Sequence, residues 1–248
     1  MSSAELLRVL VGITTLVVAA AVVLRTFRVR HPWAPATAVA RGALQLAAIS
    51  LVLTGVITSH LWVAAALLVM FSVAATTATR RLGWTPQRMR QVVLAMAAGV
   101  LLALGVVFLT GAIGFTARYT LAIGGIVVGN SMTMATLAGR RFTQGVIDHW
   151  EEVEGWLALG AHPAQSTAQI ARDAVYSAMI PITDQTKTTG LVTLPGAFVG
   201  AIFGGVSPLE AGRFQIVVLA AVIAAGSLTA VLLAHWLQPI RTRPEALR

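Results

Sequence analysis

The sequence predicts an all-α fold: a polytopic integral membrane protein with about seven transmembrane helices and a cytoplasmic helix-turn-helix coupling insert. Three observations predict it. Of 248 residues, 57% are apolar and 11% charged, whereas soluble domains carry about 25% charged residues, and the mean hydropathy is +0.81. Several apolar runs reach the roughly 18–20 residues that cross the hydrocarbon core of a bilayer. A single long polar stretch, 140–187, interrupts them.

The first expected span covers residues 6–24 and is followed by Arg25, Arg28 and Arg30; no small-residue cleavage site follows, so it reads as a retained helix rather than a signal peptide. The second covers 36–58, with Arg41 and Gln45 near its start, and Ser59-His60 lead into the third, 61–79. Arg80, Arg81, Arg88 and Arg90 surround the turn marked by Gly83 and Pro86, and the fourth span covers 91–110. The fifth, 119–138, is closed by Arg140 and Arg141. Beyond the polar stretch lie a sixth, 188–206, and a seventh, 213–237, with Arg241, Arg243 and Arg248 behind it. The expected organisation is thus 1–139 as helices one to five, 140–187 as the insert, and 188–248 as helices six and seven with a tail, all in one membrane domain.

In this count the arginine clusters follow odd-numbered spans and fall on one side of the membrane. Positive charge is retained on the cytoplasmic side, so the expectation is a multi-pass protein of the cell (plasma) membrane with its N-terminus outside and its C-terminus in the cytoplasm. The insert is then cytoplasmic. The same scatter of arginines at helix ends argues against nucleic acid as a partner, despite a net charge of +9. With no cysteine, disulfides, thiolate metal sites and thiol nucleophiles are excluded. The sole lysine, Lys187, follows Thr186, so the Gly-Lys-Ser/Thr core of a phosphate-binding P-loop is absent.

Within the insert, Val146, Ile147, Trp150, Val153 and Leu157 recur at helical spacing, with Asp148, His149, Glu151 and Glu152 mostly opposite. Gly160 ends this amphipathic helix, His162-Pro163 start another, and Pro181 is expected to break it. Such a helix-turn-helix either docks into a groove on a soluble partner or lies in the membrane interface. The acidic group Asp148, Glu151, Glu152 and Glu154 disfavours contact with negatively charged inner-leaflet lipid.

The expected fifth and sixth spans are unusually polar or small-residue-rich. Gly196, Gly200 and Gly204 share one face, which either packs closely on a neighbouring helix or lines a path, with Pro195 supplying a bend. Both readings place these two spans at the centre of the molecule.

Family likeness enters through the insert. ABC-transporter permeases carry a cytoplasmic Glu-Ala-Ala, three residues, Gly, nine residues, Ile motif, and here Glu154, Gly160 and Ile170 keep that spacing, with Gly155 and Trp156 in place of the alanines. More closely, Leu157-Ala-Leu-Gly160-Ala161, Ala174, Ile180-Pro181 and the run from Asp184 through Lys187 and Gly190 to Pro195-Gly196 resemble the FetB-type ABC transporter permease family, which includes plant aluminium-sensitivity transporters. Gly129-Asn130, Met132, Arg41 with Gln45, and Ser207-Pro208 to Gln215 fit as well. The resemblance implies a permease subunit that exports an iron-like metal ion, working with a separate ATP-binding cassette subunit. ATP and Mg would be bound there, and this chain would hold no cofactor and no catalytic residue. Symmetric assembly suggests a homodimer of permease chains in the lipid bilayer with two ATPase chains. The alternative is an ATP-independent secondary transporter or channel, although such proteins place ionisable residues near the bilayer midplane and the expected spans have almost none there.

On this reading the residues expected to couple to the ATPase are Trp150, Glu154, Leu157, Gly160, Ala161 and Arg172. Those expected along the transport path are Asn130, Met132, Met134, Asp184, Lys187, Pro195 and Gly196. Each has a plainer role: an interhelical hydrogen bond for Asn130, core filling for Met132 and Met134, which do not share a helix face, and an i,i+3 ion pair for Asp184 and Lys187. No metal-ligand set is recognisable. Of the five histidines only His149 has carboxylates at close spacing, and a solvated helix face accounts for them.

Overall fold

A computed structural model describes residues 3–56 and 59–246. Among these the chain forms α1 (Ser3–Thr26), α2 (Ala34–Val56), α3 (His60–Arg81), α4 (Pro86–Leu109), α5 (Ala117–Asp148), α6 (Trp150–Ala158), α7 (Pro163–Ser166), α8 (Ala168–Thr188), α9 (Gly196–Phe203) and α10 (Pro208–Leu237), with no strand and only an isolated bridge between Thr189 and Thr193. The all-α expectation holds. The chain divides into two compact units, Met1–Thr58 and Ser59–Arg248. In the first, α1 and α2 pack together with Ala21 buried between otherwise exposed apolar surfaces. The expected end of the second span, residues 57–58, lies outside the described residues.

The second unit is a bundle whose helix starts are set by local chemistry. Ser59, Thr85, Thr116 and Ser207 each accept a hydrogen bond from a backbone amide in the first turn of α3, α4, α5 and α10, and Pro86 and Pro208 open α4 and α10. These caps satisfy amides that have no partner inside the helix. Four long helices, α3, α4, α5 and α10, are packed by small residues. Leu67 of α3 and Leu82, the residue that caps its C-terminus, seat on Gly124 and Gly139 of α5, where an added Cβ would lie 2.8 and 2.7 Å from them. Gly99 of α4 meets α10, where an added Cβ would lie 2.4 Å from the Ala225 carbonyl oxygen.

These contacts fix direction. α5 runs parallel to α10, with the Tyr119 and Phe214 rings 5.4 Å apart at one end and Phe142 and Ala234 in one buried cluster at the other. α4 runs against α10, since the Gln91 amide donates to the Trp236 carbonyl at 2.9 Å while Gly99 meets Ala225. The main core joins Met96, Val100, Ile123, Val127, Met134 and Val222.

Among the described residues, five helices are long and apolar enough to cross a membrane: α1 from Ala4, α3, α4, α5 and α10. The sixth expected span, 188–206, takes a different form. Apart from Thr188, which ends α8, only the eight-residue α9 is helical there, about 12 Å at 1.5 Å per residue, too short to cross. Gly196 and Gly200 have open space where a Cβ would stand, and Gly204 meets only carbonyls of its own helix, so this face makes no close backbone contact with a neighbouring helix of the described chain. No residue of α9 is buried, and of the two helices expected at the centre only α5 is there.

The helix-turn-helix expected over 140–187 also differs. α5 runs on through Arg140 and Arg141 to Asp148, a 32-residue helix. The amphipathic stripe is split at His149, and only α6, α7 and their links form the turn-bearing hairpin. α8 does not stop at Pro181. Proline lacks an amide hydrogen and crowds the preceding turn, but Pro181 lies on the exposed side of α8, so the lost bond faces outward. The opposite side, Ala171, Ala174, Ala178 and Ile182, is buried at helical spacing against α5 and α10.

Candidate functional site

One end of the second unit gathers basic side chains: Arg80 and Arg81 end α3, Arg88 and Arg90 begin α4, and Arg140 and Arg141 lie on the same stretch of α5 that meets the end of α10. Arg243 reaches the Ile147 carbonyl at 3.4 Å. The opposite end has Arg118 near the start of α5 and Arg213 near the start of α10, and there His60 stacks on Phe115 at 5.0 Å. The α6–α7 hairpin emerges at the basic end.

Its geometry follows from a few residues. Val153 is fully buried and Trp150 packs on the cluster of Phe142, Val146, Ala171, Ala174 and Ala234, which fastens the root of α6 to α5, α8 and α10. Toward the tip, Glu151, Glu152, Glu154, Gly155 and Trp156 are exposed, Leu157 and Ala161 are half-buried, and Leu159 is 83% exposed. Gly160 sits at φ +89°, and its amide donates to Leu157 while Ala161 donates to Trp156, both at 3.0 Å. That pair of bonds is the Schellman ending of a helix, whose left-handed residue favours glycine. His162 caps α7 in a reciprocal arrangement with Gln165. Arg172 stands apart from the tip, exposed on the first turns of α8, where it donates to Gln169 at 3.2 Å. The fully buried Thr167 donates to the Gln238 carbonyl at 2.8 Å, tying the start of α8 to the end of α10.

The second group of sequence-selected residues lies further into the bundle. Asn130 donates its amide to the Ile126 carbonyl at 2.8 Å, within its own helix, and so does not form the interhelical bond expected of it. Met134 is buried over Gly226, and Met132 packs against the main core. Asp184 and Lys187 form the i,i+3 pair at 3.1 Å with both side chains more than half exposed. Pro195 is the N-cap of α9 rather than a bend inside a span, and Gly196 follows it in the open. The structure brings α5 and α8 together through Ala138 and Ala178. It does not bring this group to the hairpin: from Asn130 to Asp148 along α5 is about 27 Å.

Sequence reasoning missed α8 as part of the bundle. The signal was present: Ala171, Ala174, Ala178 and Ile182 keep one helical stripe across Pro181, although the polar face opposite conceals it from hydropathy. No group of three or more His, Cys, Asp or Glu capable of holding a metal occurs among the described residues.

Residues 7–239 match the model of the Uncharacterised protein family (UPF0014). The chain belongs to the UPF0014 family. It is 36% identical over 197 residues to the UPF0014 membrane protein STAR2 of Oryza sativa subsp. japonica, covering 79% of this chain and 69% of that one. It is 36% identical over 195 residues to Protein ALUMINUM SENSITIVE 3 of Arabidopsis thaliana, covering 78% and 71%. The "Probable iron export permease protein FetB" of Escherichia coli (strain K12) is 35% identical over 139 residues, covering 56% of this chain and 54% of that protein. No solved structure matches. The FetB-type likeness read from the residues is therefore a UPF0014 relationship, and this member is a multi-pass membrane protein related to a permease.

Proposed function

We propose that this chain is the transmembrane permease subunit of an ABC transporter that exports an iron-like metal ion, with ATP and Mg bound on a separate ATP-binding subunit. The observation that carries the proposal is the α6–α7 hairpin. It stands at the basic end of the bundle, presents Trp156 and Leu159 to solvent beside Glu151, Glu152 and Glu154, and is rooted through Trp150 in a cluster shared by α5, α8 and α10. Exposed apolar residues ringed by carboxylates suit a groove on a soluble protein better than an anionic lipid surface. The positive charge at that end supports a cytoplasmic position for it, by the bias of arginine towards the cytoplasmic side of a membrane. Movement of the hairpin would pass to the starts of α8 and ends of α5 and α10, and so rock the bundle. Two such chains with two ATPases complete the assembly. Substrate and direction derive from the name of the FetB relative.

The decisive experiment is co-expression with candidate P-loop subunits, followed by reconstitution into liposomes. The expected result is co-purification and ATP-dependent movement of iron. Transport by the chain alone, without nucleotide, would establish the ATP-independent reading in its place.

A further inference from the structure

At the basic end of the second unit, α4, α7 and the end of α10 border a cavity of about 630 Å³, within the roughly 300–1,000 Å³ of small-molecule sites. Its polar wall is cationic or donating. Arg90 and Gln91 come from the first turns of α4, His162 caps α7, and His235 stands in the last turn of α10. No carboxylate lines the cavity, and among the described residues none pairs with Arg90. The His162 Nδ1 accepts from the Ala164 amide at 3.3 Å, which leaves the ring proton on Nε2 as a donor. Two bonds hold the walls in place: Gln91 donates to the Trp236 carbonyl at 2.9 Å, and Thr167 donates to the Gln238 carbonyl at 2.8 Å. The hairpin's acidic residues Glu151, Glu152 and Glu154 belong to α6 and take no part in this wall.

Deeper in the bundle the surface turns apolar on both sides of this cavity. α4 starts at the basic end and α10 finishes there. Leu94 therefore lies one turn, about 6 Å, deeper than Arg90, and Val231 lies the same distance deeper than His235. Leu94 also lines the cavity, and Leu94, Leu101 and Val231 are all exposed. Arg90, Leu94 and Leu101 follow one face of α4 at spacings of four and seven. Trp236, half-buried in the cavity wall, is of a type that collects at the level of lipid headgroups. Cations above hydrocarbon, in that order, complement a molecule that carries a phosphate above acyl chains. We propose that the cavity binds the phosphate of an anionic phospholipid through Arg90, His162 and His235, with the acyl chains running along Leu94 and Leu101. Hydrogen bonds from a guanidinium to phosphate are charge-assisted and strong, and basic pockets between transmembrane helices suit lipid headgroups. His162 belongs to the hairpin, whereas Arg90 and His235 belong to α4 and α10, so the bound lipid ties the hairpin's second limb to the bundle. The site requires only that α4 and α10 cross the membrane, and it stands whether or not an ATP-binding subunit docks on the hairpin.

The test titrates the full chain, purified in mild detergent and stripped of lipid, while thermal unfolding is followed. The probes are phosphatidylglycerol, phosphatidylcholine with the same acyl chains, and inorganic phosphate. Phosphatidylglycerol should raise the unfolding temperature saturably, at several-fold lower concentration than phosphatidylcholine, and inorganic phosphate should not reproduce the effect. Equal stabilisation by inorganic phosphate would overturn the lipid assignment in favour of a free phosphate, and equal stabilisation by phosphatidylcholine would overturn the anion site. Arg90→Gln and His235→Gln should each raise the half-maximal concentration by about fivefold or more, as for a lost bond to a charged group. Arg81→Gln removes the same charge from the same end of the bundle, outside the cavity, and should leave that concentration nearly unchanged. Equal shifts for Arg81→Gln and Arg90→Gln would reduce the effect to diffuse attraction and sink the site. Native mass spectrometry gives a reading independent of stability: phosphatidylglycerol adducts that survive on the unaltered chain should be lost from Arg90→Gln. Adducts retained in full by that variant would place the lipid elsewhere.

Discussion

Met134 of α5 lies directly over Gly226 of α10, so close that a Cβ on Gly226 would stand 2.9 Å from the methionine Cγ. The same bundle has a second notch at Gly99, but there the obstructing atom is the Ala225 backbone carbonyl oxygen, at 2.4 Å. The Met134 Cγ must turn about its own Cβ to clear a new methyl group, whereas a carbonyl inside a packed helix cannot move without the helix. Both substitutions should therefore destabilise, each on the scale of about 1–3 kcal/mol for an overpacked core, with Gly99→Ala the costlier. Thermal unfolding of detergent-solubilised protein should rank the two in that order. Equal losses would mean that the α4–α10 contact is looser than the geometry indicates.

The hairpin turn separates conformation from contact. Gly160 has open space where a Cβ would stand, yet its φ is +89°, a region costing other L-residues roughly 1–2 kcal/mol. In the chain alone, Gly160→Ala and Gly160→Leu should lower stability alike, with Gly160→Asn milder. If an ATP-binding partner covers the turn, Gly160→Leu should lose more ATP-driven transport than Gly160→Ala, because the larger side chain would meet that partner. Equal transport by the two variants would show that no partner sits on Gly160.

What the sequence revealed and concealed follows from what hydropathy measures. Apolar runs located α1, α3, α4 and α10 because each is a continuous helix with charge only near its ends. The same measure joined the turn at residues 189–195 to α9 as one span, since Leu191, Val192 and Leu194 are as apolar as helix residues while Gly190 takes φ +88°. It excluded α8 because half of that helix is polar, although its buried alanines keep strict spacing. The hairpin was visible through Gly160 and Pro163, both of which act locally. The packing of Met179 against Ser227 of α10 was not visible, because it joins two helices at residues more than 40 apart in the chain.

Thr167 tests the link from the hairpin to the bundle. It is fully buried, and its hydroxyl donates to the Gln238 carbonyl at 2.8 Å. Thr167→Val keeps the shape and removes this donor, while the Ile240 amide still donates to the same carbonyl, so the cost is that of one ordinary hydrogen bond, about 0.5–1.5 kcal/mol. If force from the hairpin reaches α10 here, ATP hydrolysis by the reconstituted complex should persist while transport per ATP falls. Thr167→Ser, which retains the hydroxyl, should restore the ratio. A loss of stability with transport per ATP unchanged would restrict Thr167 to holding the fold.

Asn130 allows the structural and transport readings to be separated. Among the described residues its amide bonds to Ile126 alone, one turn back on α5, and its side chain is half-buried. A helix needs no such bond, because the Ile126 carbonyl already has its backbone partner one turn on. Asn130→Ala should then change stability by no more than about 0.5 kcal/mol, as for a substitution outside the core. If the amide lines the path, transport should fall in the same variant with expression, unfolding temperature and ATPase capture unchanged. A drop in unfolding temperature matching the loss of transport would instead assign Asn130 to packing. The bond inside its own helix makes that result unexpected, since removing it leaves no neighbouring helix without a partner.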